Sequence, residues 1–442
     1  MRRIISTFSI WGVRLIALVN LTLIIGLWLH GGGISSVHST GTLLTSVGRI
    51  TGLLGAYALL IQFLLMARLP FLERLAGFDR LTVWHKRNGK ITLSLILAHV
   101  ASITAGYALT THISFMAQFL AFLSGYPGMV AALIATLLLL VVGTTSAAMA
   151  RRKMNYQTWF LIHLMSYSAL ALAWFHQIPT GTVFLTNPMA AAFWTALYVV
   201  TLELVVLFRF GQLVVRNLWH RLRVAEVAEE SPGVVSLRIT GHHLSWMKVR
   251  AGQFFLWRFL DPERWQEAHP FSLSMAPDGQ SLRITVKDLG DFSKHIGEIT
   301  PGTPVVVEGP FGSFTAGAQS SDHVALIAGG VGITPIRALL EEMSGDLVLI
   351  YRATREEDVI FRDELDALAR ERGIKIHYVV GDRQTPGNEY LLSTPHLRQL
   401  IPDIARRAIY LCGPPAMMRM IRTNVIRAGV PGRHIHTDQF AF

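Results

Sequence analysis

The stretch that decides the fold is residues 80–111, RLTVWHKRNGKITLSLILAHVASITAGYALTT, where one histidine shortly precedes a long apolar run and a second lies within it. His85 and His99 are 14 residues apart. On an ideal α-helix this spacing is within about 40° of four whole turns and rises about 21 Å. The two imidazoles therefore share one face of the helix at different depths. Ionisable side chains inside a membrane helix are energetically costly and are usually functional.

The apolar run at residues 157–176 contains the other pair, His163 and His176. Their 13-residue spacing leaves them about 140° apart on an ideal helix. We therefore expect this helix to be overwound, kinked or bulged if both imidazoles face inward. Paired at matched depths, His85 with His163 and His99 with His176, the imidazoles predict two haems, each held by two histidines. The alternative is that all four are interfacial or hydrogen-bonded structural histidines.

Apolar runs close to the length of a membrane-spanning helix recur through the first half of the chain. They lie near residues 12–29, 50–66, 91–110, 127–149, 157–176 and 188–208. With 51% hydrophobic and 16% charged residues over 442 positions, the composition is far from that of a disordered chain. We predict a bundle of six transmembrane helices, in which the two histidine-bearing helices are the third and the fifth and run parallel.

Basic residues are concentrated in the first half, where residues 1–220 hold 15 Lys and Arg but only 3 Asp and Glu. Those that follow the second and fourth apolar runs are Arg68, Arg74, Arg80, Lys86, Arg87, Arg151, Arg152 and Lys153. The positive-inside rule then predicts a multi-pass protein of the cell membrane with both termini cytoplasmic. The lipid bilayer explains the net charge of +11, and no nucleic acid is expected because basic and aromatic residues do not alternate.

The single cysteine, Cys412, limits the redox chemistry of the chain. It excludes an internal disulfide, a four-thiolate zinc site and a cysteine-ligated iron–sulfur cluster. No nucleophilic triad or carboxylate pair stands out either. Any redox relay here therefore needs other carriers.

The second half of the chain changes to short strands. Strand-like segments are residues 234–239, 253–257 and 282–286, followed by 324–328 and 347–351. The first three predict an antiparallel β-barrel, and the last two, with a helix between them, begin a parallel α/β sheet. We predict three domains, which are a transmembrane domain over residues 1–217, a β-barrel over 218–320 and an α/β domain over 321–442.

The turn after the first strand of the α/β domain reads Gly329–Gly330–Val331–Gly332–Ile333–Thr334–Pro335. Glycines let the backbone approach a pyrophosphate, and the N-terminus of the following helix supplies amide donors. A glycine-rich turn by itself is also compatible with simple loop closure. Between a strand and a helix it predicts a dinucleotide site formed by Gly329, Gly330, Gly332 and Thr334.

The end of the second parallel strand bears on which nicotinamide coenzyme is used. The sequence there is Tyr351–Arg352–Ala353–Thr354–Arg355. Arginine accommodates a 2′-phosphate, whereas an acidic residue favours the free 2′-hydroxyl. Arg352 and Arg355 therefore predict NADPH, with NADH as the alternative because Glu356, Glu357 and Asp358 follow closely.

Further motifs stand in order along the second half. They are His269–Pro270–Phe271–Ser272, Gly309–Pro310–Phe311–Gly312, Cys412–Gly413–Pro414–Pro415 and the terminal Phe442. Together with the histidine pairs and the glycine turn, they resemble the ferric reductase and NADPH oxidase family, whose soluble half is like ferredoxin–NADP reductase. The resemblance covers nearly the whole chain. It implies a six-helix haem bundle, then an FAD-binding β-barrel domain and a Rossmann-like NAD(P)-binding α/β domain.

The resemblance also implies roles for single residues. Those implied for FAD are His269, Pro270, Phe271 and Ser272 along the ring and phosphates, and Lys287, Gly290 and Ser293 as a second phosphate element. Those implied for the nicotinamide are Cys412, Gly413 and Pro414, with Phe442 stacking on the flavin. Ser272, Cys412 and Phe442 are the residues expected nearest to hydride transfer.

We therefore expect a transmembrane oxidoreductase that moves electrons from cytoplasmic NADPH through FAD and two b-type haems to an outer acceptor. Oxygen, a ferric chelate, and a membrane or periplasmic partner are the candidate acceptors. Family oxidases place a further histidine one turn beyond the outer ligand, where this chain has Ile103. The alternatives are a haem-free membrane-anchored flavin reductase and a non-enzymatic proton channel or sensor with a nucleotide-binding domain.

Overall fold

The computed structural model describes residues 2–147, 154, 156–382 and 384–438. The chain divides into two compact units, Met1–Gln212 and Leu213–Phe442. The first unit is helical, and the second contains the β-strands.

The described helices of the first unit follow the predicted apolar runs. They are α1 Arg2–His30, α2 Thr40–Met66, α3 Pro70–Ala76, α4 Phe78–Thr111, α5 Phe115–Gly125, α6 Met129–Thr145, α7 Tyr156–Thr180, α8 Thr182–Thr186 and α9 Pro188–Leu204. A π-helix, Val205–Gly211, continues α9 into α10, Gln212–His220. Five of the described helical stretches are long and apolar enough to cross a membrane, and a sixth is reached if α5 and α6, bent by 117°, count as one span.

The close packing of α2 against α4 depends on glycine. A β-carbon at Gly48 would lie 2.6 Å from the Ile103 side chain, and one at Gly52 would lie 2.6 Å from His99 Nδ1. Gly106 faces back toward α2, where a β-carbon would meet the Thr45 backbone nitrogen at 2.6 Å. Small residues of this kind let membrane helices approach closely. The backbone of α2 is thereby brought within hydrogen-bonding reach of α4 side chains.

The first part of the second unit forms two antiparallel three-stranded sheets. Their strands are β1 Arg223–Ser231, β2 Val234–Thr240, β3 Phe254–Phe259, β4 His269–Ser272, β5 Ser281–Lys287 and β6 Val305–Phe311. The sheet orders are β1-β2-β5 and β4-β3-β6, and single bridges Arg223↔Pro304 and Leu273↔Ile284 join their edges. One apolar core lies between the sheets, with Phe255, Trp257 and Phe259 fully buried in it.

The second part is a five-stranded parallel sheet with helices. Its strands are β7 His323–Gly329, β8 Asp346–Ala353, β9 Lys375–Val380, β10 Ala408–Cys412 and β11 Ile435–Asp438. The helices after α11, Asp291–Lys294, are α12 Ile333–Glu342, α13 Arg362–Arg372, α14 Thr394–Leu400 and α15 Pro415–Arg427. The strand order in the sheet is β11-β10-β7-β8-β9. From β7 the chain adds β8 and β9 on one side and then returns to add β10 and β11 on the other, so the switch point lies between β7 and β10. In sheets of this kind ligands bind outside the carboxyl ends of the strands at that switch point.

Candidate functional site

The four membrane histidines meet in two pairs, as the sequence predicts. The ring centroids of His85 and His163 are 6.0 Å apart, and those of His99 and His176 are 6.3 Å apart. His85 and His99 lie on α4, and the other two lie on α7. Because each α4 histidine meets the α7 histidine of matching order, the two helices run parallel where the rings face each other.

In each of these four imidazoles, Nδ1 lies within hydrogen-bonding distance of an oxygen atom. On α4, Nδ1 of His85 lies 3.2 Å from the Gln62 carbonyl oxygen, and Nδ1 of His99 lies 2.8 Å from the Gly48 carbonyl oxygen. On α7, Nδ1 of His163 lies 3.2 Å from Ser146 Oγ, and Nδ1 of His176 lies 3.0 Å from Thr180 Oγ1. A histidine that binds a metal through Nε2 donates its other N–H in this way.

The spacing within each pair fits a shared metal ion. A metal–imidazole bond is about 2 Å long and the nitrogen lies about 1 Å from the ring centroid, so two opposed imidazoles on one ion set their centroids about 6 Å apart. Both observed distances agree with this value. Each pair therefore has the separation that two histidines holding one haem iron would require.

The kink or bulge expected between His163 and His176 does not interrupt the helix α7. The helix runs unbroken over Tyr156–Thr180 with Pro179 inside it. Proline has no N–H to donate to the carbonyl four residues earlier, which is that of Phe175. Gly128 packs there, because a β-carbon at Gly128 would lie 2.2 Å from Phe175 O and 3.0 Å from His176 Cα. Thus one residue without a side chain lets the loop approach the backbone at the outer histidine.

In the second unit, strand β4 holds the residues that the resemblance assigns to the flavin. Ser272 is 3% exposed, and its hydroxyl has no hydrogen-bond partner among the described residues. Trp257 Nε1, on the neighbouring strand β3, donates to Phe271 O over 2.9 Å and holds β4 in place. A buried hydroxyl without a partner costs about 1–3 kcal/mol unless a ligand satisfies it. The Ser272 site therefore fits a polar ring atom of a bound flavin.

The side chain of His269 is held from two directions. Its Nε2 lies 2.9 Å from Glu267 Oε2, and its ring stacks on Phe292 with centroids 3.8 Å apart. Phe271 adds a third ring, tilted 24° from that of Phe292. The stack connects β4 to the turn that begins at Gly290.

The predicted second phosphate element is a tight turn with an engaged cation. Ser293 Oγ accepts from Leu289 N and donates to Gly290 O, both over 2.9 Å. Lys287 Nζ lies 3.1 Å from Asp358 Oδ1. Lys287 is thus neutralised by a carboxylate that follows β8.

The glycine turn after β7 is shaped by close approach to the end of β10. A β-carbon at Gly332 would lie 2.5 Å from Cys412 O, and one at Gly329 would lie 2.4 Å from Met417 Cε. Gly330 has a φ of +52° and open space where its β-carbon would be. The Thr334 hydroxyl is used within the turn, since it donates to Val331 O over 3.0 Å. The turn leaves a side-chain-free cradle at the N-terminus of α12, which suits a pyrophosphate.

Cys412 ends β10 and is completely buried. Burial raises the pKa of its thiol well above the ordinary value, and the charge of Asp438, its partner on β11, raises it further. The thiol is therefore protonated at neutral pH and does not act as a nucleophile. Gly413 and Pro414 follow it and pack against Gly329. Phe442, predicted to stack on the flavin, lies outside the described residues.

The two arginines predicted to bind a 2′-phosphate do not meet at one site. Arg352 donates to the carbonyl groups of Ala353, Val379 and Gly381. Arg355 pairs with Glu357 and, over 3.2 Å, with Asp358. Each guanidinium already has acceptors within the fold, so the geometry does not support the sequence argument for NADPH.

Sequence reasoning missed several residues that shape the sites. Tyr351 Oη donates to Gly330 O over 3.3 Å and accepts from Ile360 N over 3.1 Å, which holds the glycine turn from beneath. Ser146 and Thr180 orient two of the membrane imidazoles. Only the placement of Thr180 one helical turn after His176 carries a signal in the sequence.

One further group has metal-ligand character. His323, Asp346 and Asp403 offer ligand atoms within 4.8 Å of one another. Arg407, however, donates to Asp346 over 2.5 Å and to Asp403 over 2.8 Å. The two carboxylates are therefore already neutralised, and the group is an ion-pair network at the start of the parallel sheet.

Comparison with known proteins assigns both units. Residues 51–174 match the family described as ferric reductase like transmembrane component, and residues 326–423 match the oxidoreductase NAD-binding domain. NADH-cytochrome b5 reductase 1 of Laccaria bicolor is 30% identical over 187 residues, 39% of this chain and 61% of that protein. Ferredoxin–NADP reductase B of Sorangium cellulosum is 29% identical over 190 residues, 38% and 77% of the two chains.

Among solved structures, the FAD/NAD-binding domain of nitric oxide dioxygenase from Vibrio cholerae is 23% identical with a TM-score of 0.40. The match covers 50% of this chain and 98% of that domain.

Each unit therefore holds one family match, first to a ferric reductase like transmembrane component and then to an oxidoreductase NAD-binding domain. This order matches the architecture of the ferric reductase and NADPH oxidase family. The aligned part spans about three fifths of the first relative, 61% of its length.

Proposed function

We propose that the chain is a transmembrane oxidoreductase that passes electrons from cytoplasmic NAD(P)H, through FAD and two b-type haems, to an acceptor on the outer side. The observation that carries this proposal is the pairing of four imidazoles at 6.0 and 6.3 Å. Structural histidines have no reason to meet ring to ring at that separation twice. When bound, flavin accepts hydride and releases single electrons, which haem iron carries one at a time.

The membrane residues hold and insulate the proposed haems. His85 with His163 would ligate the inner iron, and His99 with His176 the outer one. Nδ1 of each ring lies within hydrogen-bonding distance of an oxygen, which would fix the ring plane, so Nε2 would be the nitrogen that ligates the metal.

The same pairing supports a count of six membrane crossings. Because α4 and α7 run parallel, the chain between them has to cross the membrane an odd number of times. We infer that α6, 17 residues or about 26 Å long, is this crossing, which gives six spans. With the basic loops on one side, both termini are then cytoplasmic, in the cell membrane.

The second unit would supply the electrons. We propose residues 218–320 as the FAD-binding domain and residues 321–442 as the NAD(P)H-binding domain. Ser272 offers its hydroxyl to the flavin ring, and the turn at Gly329–Gly332 holds the pyrophosphate. Cys412, neutral and fully buried, would lie beneath the nicotinamide site rather than at its surface.

The acceptor is oxygen, a ferric chelate, or a membrane or periplasmic partner. Position 103, one turn beyond His99, is filled by an isoleucine that packs against Gly48. The outer site therefore has no imidazole there to hydrogen-bond oxygen. This contact favours a ferric chelate over oxygen as the acceptor.

A spectroscopic and vectorial experiment tests the function. Purified protein should show the spectrum of low-spin, six-coordinate b-type haem and release FAD on unfolding. In proteoliposomes supplied with NADH or NADPH on one side, a ferric chelate on the other should be reduced. His99→Leu should abolish that reduction, and the exposed His38→Leu should not.

Two results would contradict the proposal. Unchanged reduction by the His99→Leu protein would indicate a haem-free flavin reductase. Colourless protein that conducts protons would indicate the channel or sensor.

A further inference from the structure

The last apolar helix is longer than a membrane is thick. Residues Pro188–His220 form a helical stretch of 33 residues, or about 50 Å, against a hydrocarbon core of about 30 Å. Its final dozen residues therefore lie beyond the hydrocarbon if its beginning lies within it. These residues include α10, which belongs almost wholly to the second unit.

The polar face of α10 is fixed on the β-structure. Asn217 Nδ2 donates to Val307 O over 3.0 Å, and Val307 N donates to Asn217 Oδ1 over 2.8 Å. His220 Nδ1 lies 2.9 Å from His242 O. The rotation of α10 is thereby set, and its opposite face points away from the β-sheets.

That opposite face is apolar and exposed. The exposed fractions are 54% for Val214, 64% for Val215, 67% for Leu218 and 51% for Trp219. Trp246, 68% exposed, stacks on Trp219 with ring centroids 6.2 Å apart. We call these five residues the tryptophan patch. Contiguous exposed apolar surface of this kind marks an interaction site.

The charged residues that lie next to the tryptophan patch along the sequence are basic. Residues 205–222 contain Arg209, Arg216 and Arg221 and no acidic residue, and residues 241–250 contain Lys248 and Arg250 and none either. Tryptophan concentrates at membrane–water interfaces, where its ring is half in contact with lipid and its N–H remains hydrated. Basic residues beside it are attracted to anionic headgroups.

We propose that the tryptophan patch is seated in the lipid headgroup region and anchors the reductase module to the membrane surface. The occupant of the patch is lipid, because the patch continues a membrane helix and its charge complements anionic lipid. A second copy of the chain would bring the same basic residues together and would be repelled. The anchor would act whether or not the proposed haems are present.

The single natural cysteine makes the test direct. Cys412 is fully buried, so a nitroxide attached through Trp246→Cys in the full-length protein reports one position. The protein is reconstituted in vesicles of phosphatidylcholine and phosphatidylglycerol, and collision with oxygen and with an aqueous nickel chelate is measured. Tyr390→Cys, 55% exposed on a distant loop, is the matched control. FAD content shows that both variants are folded.

We expect the label at position 246 to be several-fold less accessible to the nickel chelate than the control label and more accessible to oxygen. Equal nickel accessibility at both positions would overturn the proposal. So would protection from both reagents together with spin–spin coupling between chains, because it would indicate a second copy as the occupant. Each result is independent of electron transfer, so it separates the anchor from the proposed function.

Discussion

Each pair of membrane imidazoles combines one carbonyl-bonded histidine and one hydroxyl-bonded histidine. The α4 members, His85 and His99, face backbone oxygens of α2. The α7 members, His163 and His176, face hydroxyl groups of Ser146 and Thr180. Backbone carbonyls cannot be removed by substitution, but the hydroxyls can. Substitution of Ser146 or of Thr180 therefore perturbs one histidine pair and leaves the other unchanged.

We predict that Ser146→Ala raises the midpoint potential of the proposed inner haem and that Thr180→Ala raises that of the proposed outer haem. Donation of Nδ1–H to oxygen makes the imidazole more basic and favours the oxidised metal, so its loss favours the reduced one. One hydrogen bond of about 0.5–1.5 kcal/mol corresponds to about 20–60 mV. Redox titration followed by absorbance measures the shift. Thr144→Ala is the control. Thr144 is exposed at the C-terminal end of α6, two residues before Ser146, and its substitution should leave both potentials unchanged.

Asp358 is the residue we expect to set coenzyme preference. Burial raises its pKa, but hydrogen bonds from Arg355 and Lys287 outweigh burial and hold the pKa below its ordinary value. Its carboxylate is therefore ionised at neutral pH, where it repels a 2′-phosphate and keeps Arg355 occupied. Asp358→Asn should raise kcat/KM for NADPH relative to NADH by about tenfold, or 1.4 kcal/mol.

The exposed Asp363→Asn on α13 is the control for that measurement, and its coenzyme ratio should equal that of the unaltered protein. A lower NADPH to NADH ratio in Asp358→Asn would contradict the assignment.

At the scale of elements, the contact between α2 and α4 positions the outer imidazole. A methyl group at Gly52 would lie 2.6 Å from His99 Nδ1, well inside van der Waals contact. Gly52→Ala should therefore displace that ring and lower the haem content from two per chain toward one. The pyridine haemochrome assay counts the haem. Gly26→Ala on α1, with nothing within 4 Å of the added carbon, should retain both.

The elements themselves were largely predictable, since hydrophobic periodicity and glycine turns act over short distances. The strands at 234–240, 281–287 and 323–329 begin and end within two residues of the predicted bounds. The parallel pairing of the histidines was predicted by counting the apolar runs, because the third and the fifth run in the same direction. The close approach of Gly128 to the backbone of α7 at Phe175 and His176 could not be predicted, because it joins two elements that are far apart in the sequence.

At the scale of the whole second unit, one carboxylate joins the antiparallel sheets to the α/β domain. Glu364 accepts two bonds of 2.9 Å from Arg283 and a further one from Arg337. Both arginines also donate to Ser274 O over 3.0 Å, two residues beyond Ser272. The segment that follows β4 is thereby connected by hydrogen bonds to α12 and α13.

We predict that Glu364→Gln destabilises this unit by about 1–3 kcal/mol at neutral pH, since it leaves two buried guanidinium groups poorly paired. Burial raises the pKa of Glu364, but Arg283 and Arg337 hold it below its ordinary value of 4.5. The carboxylate's contribution is therefore complete above that value and is lost as the pH falls through the lowered pKa. The two proteins should converge in stability at acidic pH.

Release of FAD fluorescence on heating measures this stability, and the exposed Glu371→Gln on the same helix is the control. A constant difference between Glu364→Gln and the unaltered protein at all pH values would show that the carboxylate charge is not responsible.

The long-range contacts were beyond the reach of sequence reasoning. Arg352 and Arg355 suggested a phosphate site because the sequence does not show which acceptors they have in the fold. Those acceptors are carbonyl groups at the end of β9 and acidic residues after β8. Tyr351 and Glu364 gave no signal, because tyrosine in a strand and glutamate in a helix are ordinary. A histidine in an apolar helix has few possible roles, so its role could be predicted from the sequence. Arginine, tyrosine and glutamate have many possible partners, so their contacts could not.

The division of each imidazole pair between α4 and α7 sets an order for biogenesis. Residues 85 and 99 leave the ribosome long before residues 163 and 176, and the two on one helix are about 21 Å apart, too far to grip one iron. A porphyrin that arrives before α7 is inserted meets only half of each binding pocket. Loading of the proposed inner haem must therefore follow translation of at least the first 163 residues, and that of the proposed outer haem must follow translation of the first 176. Nascent chains stalled before residue 163 should remain colourless.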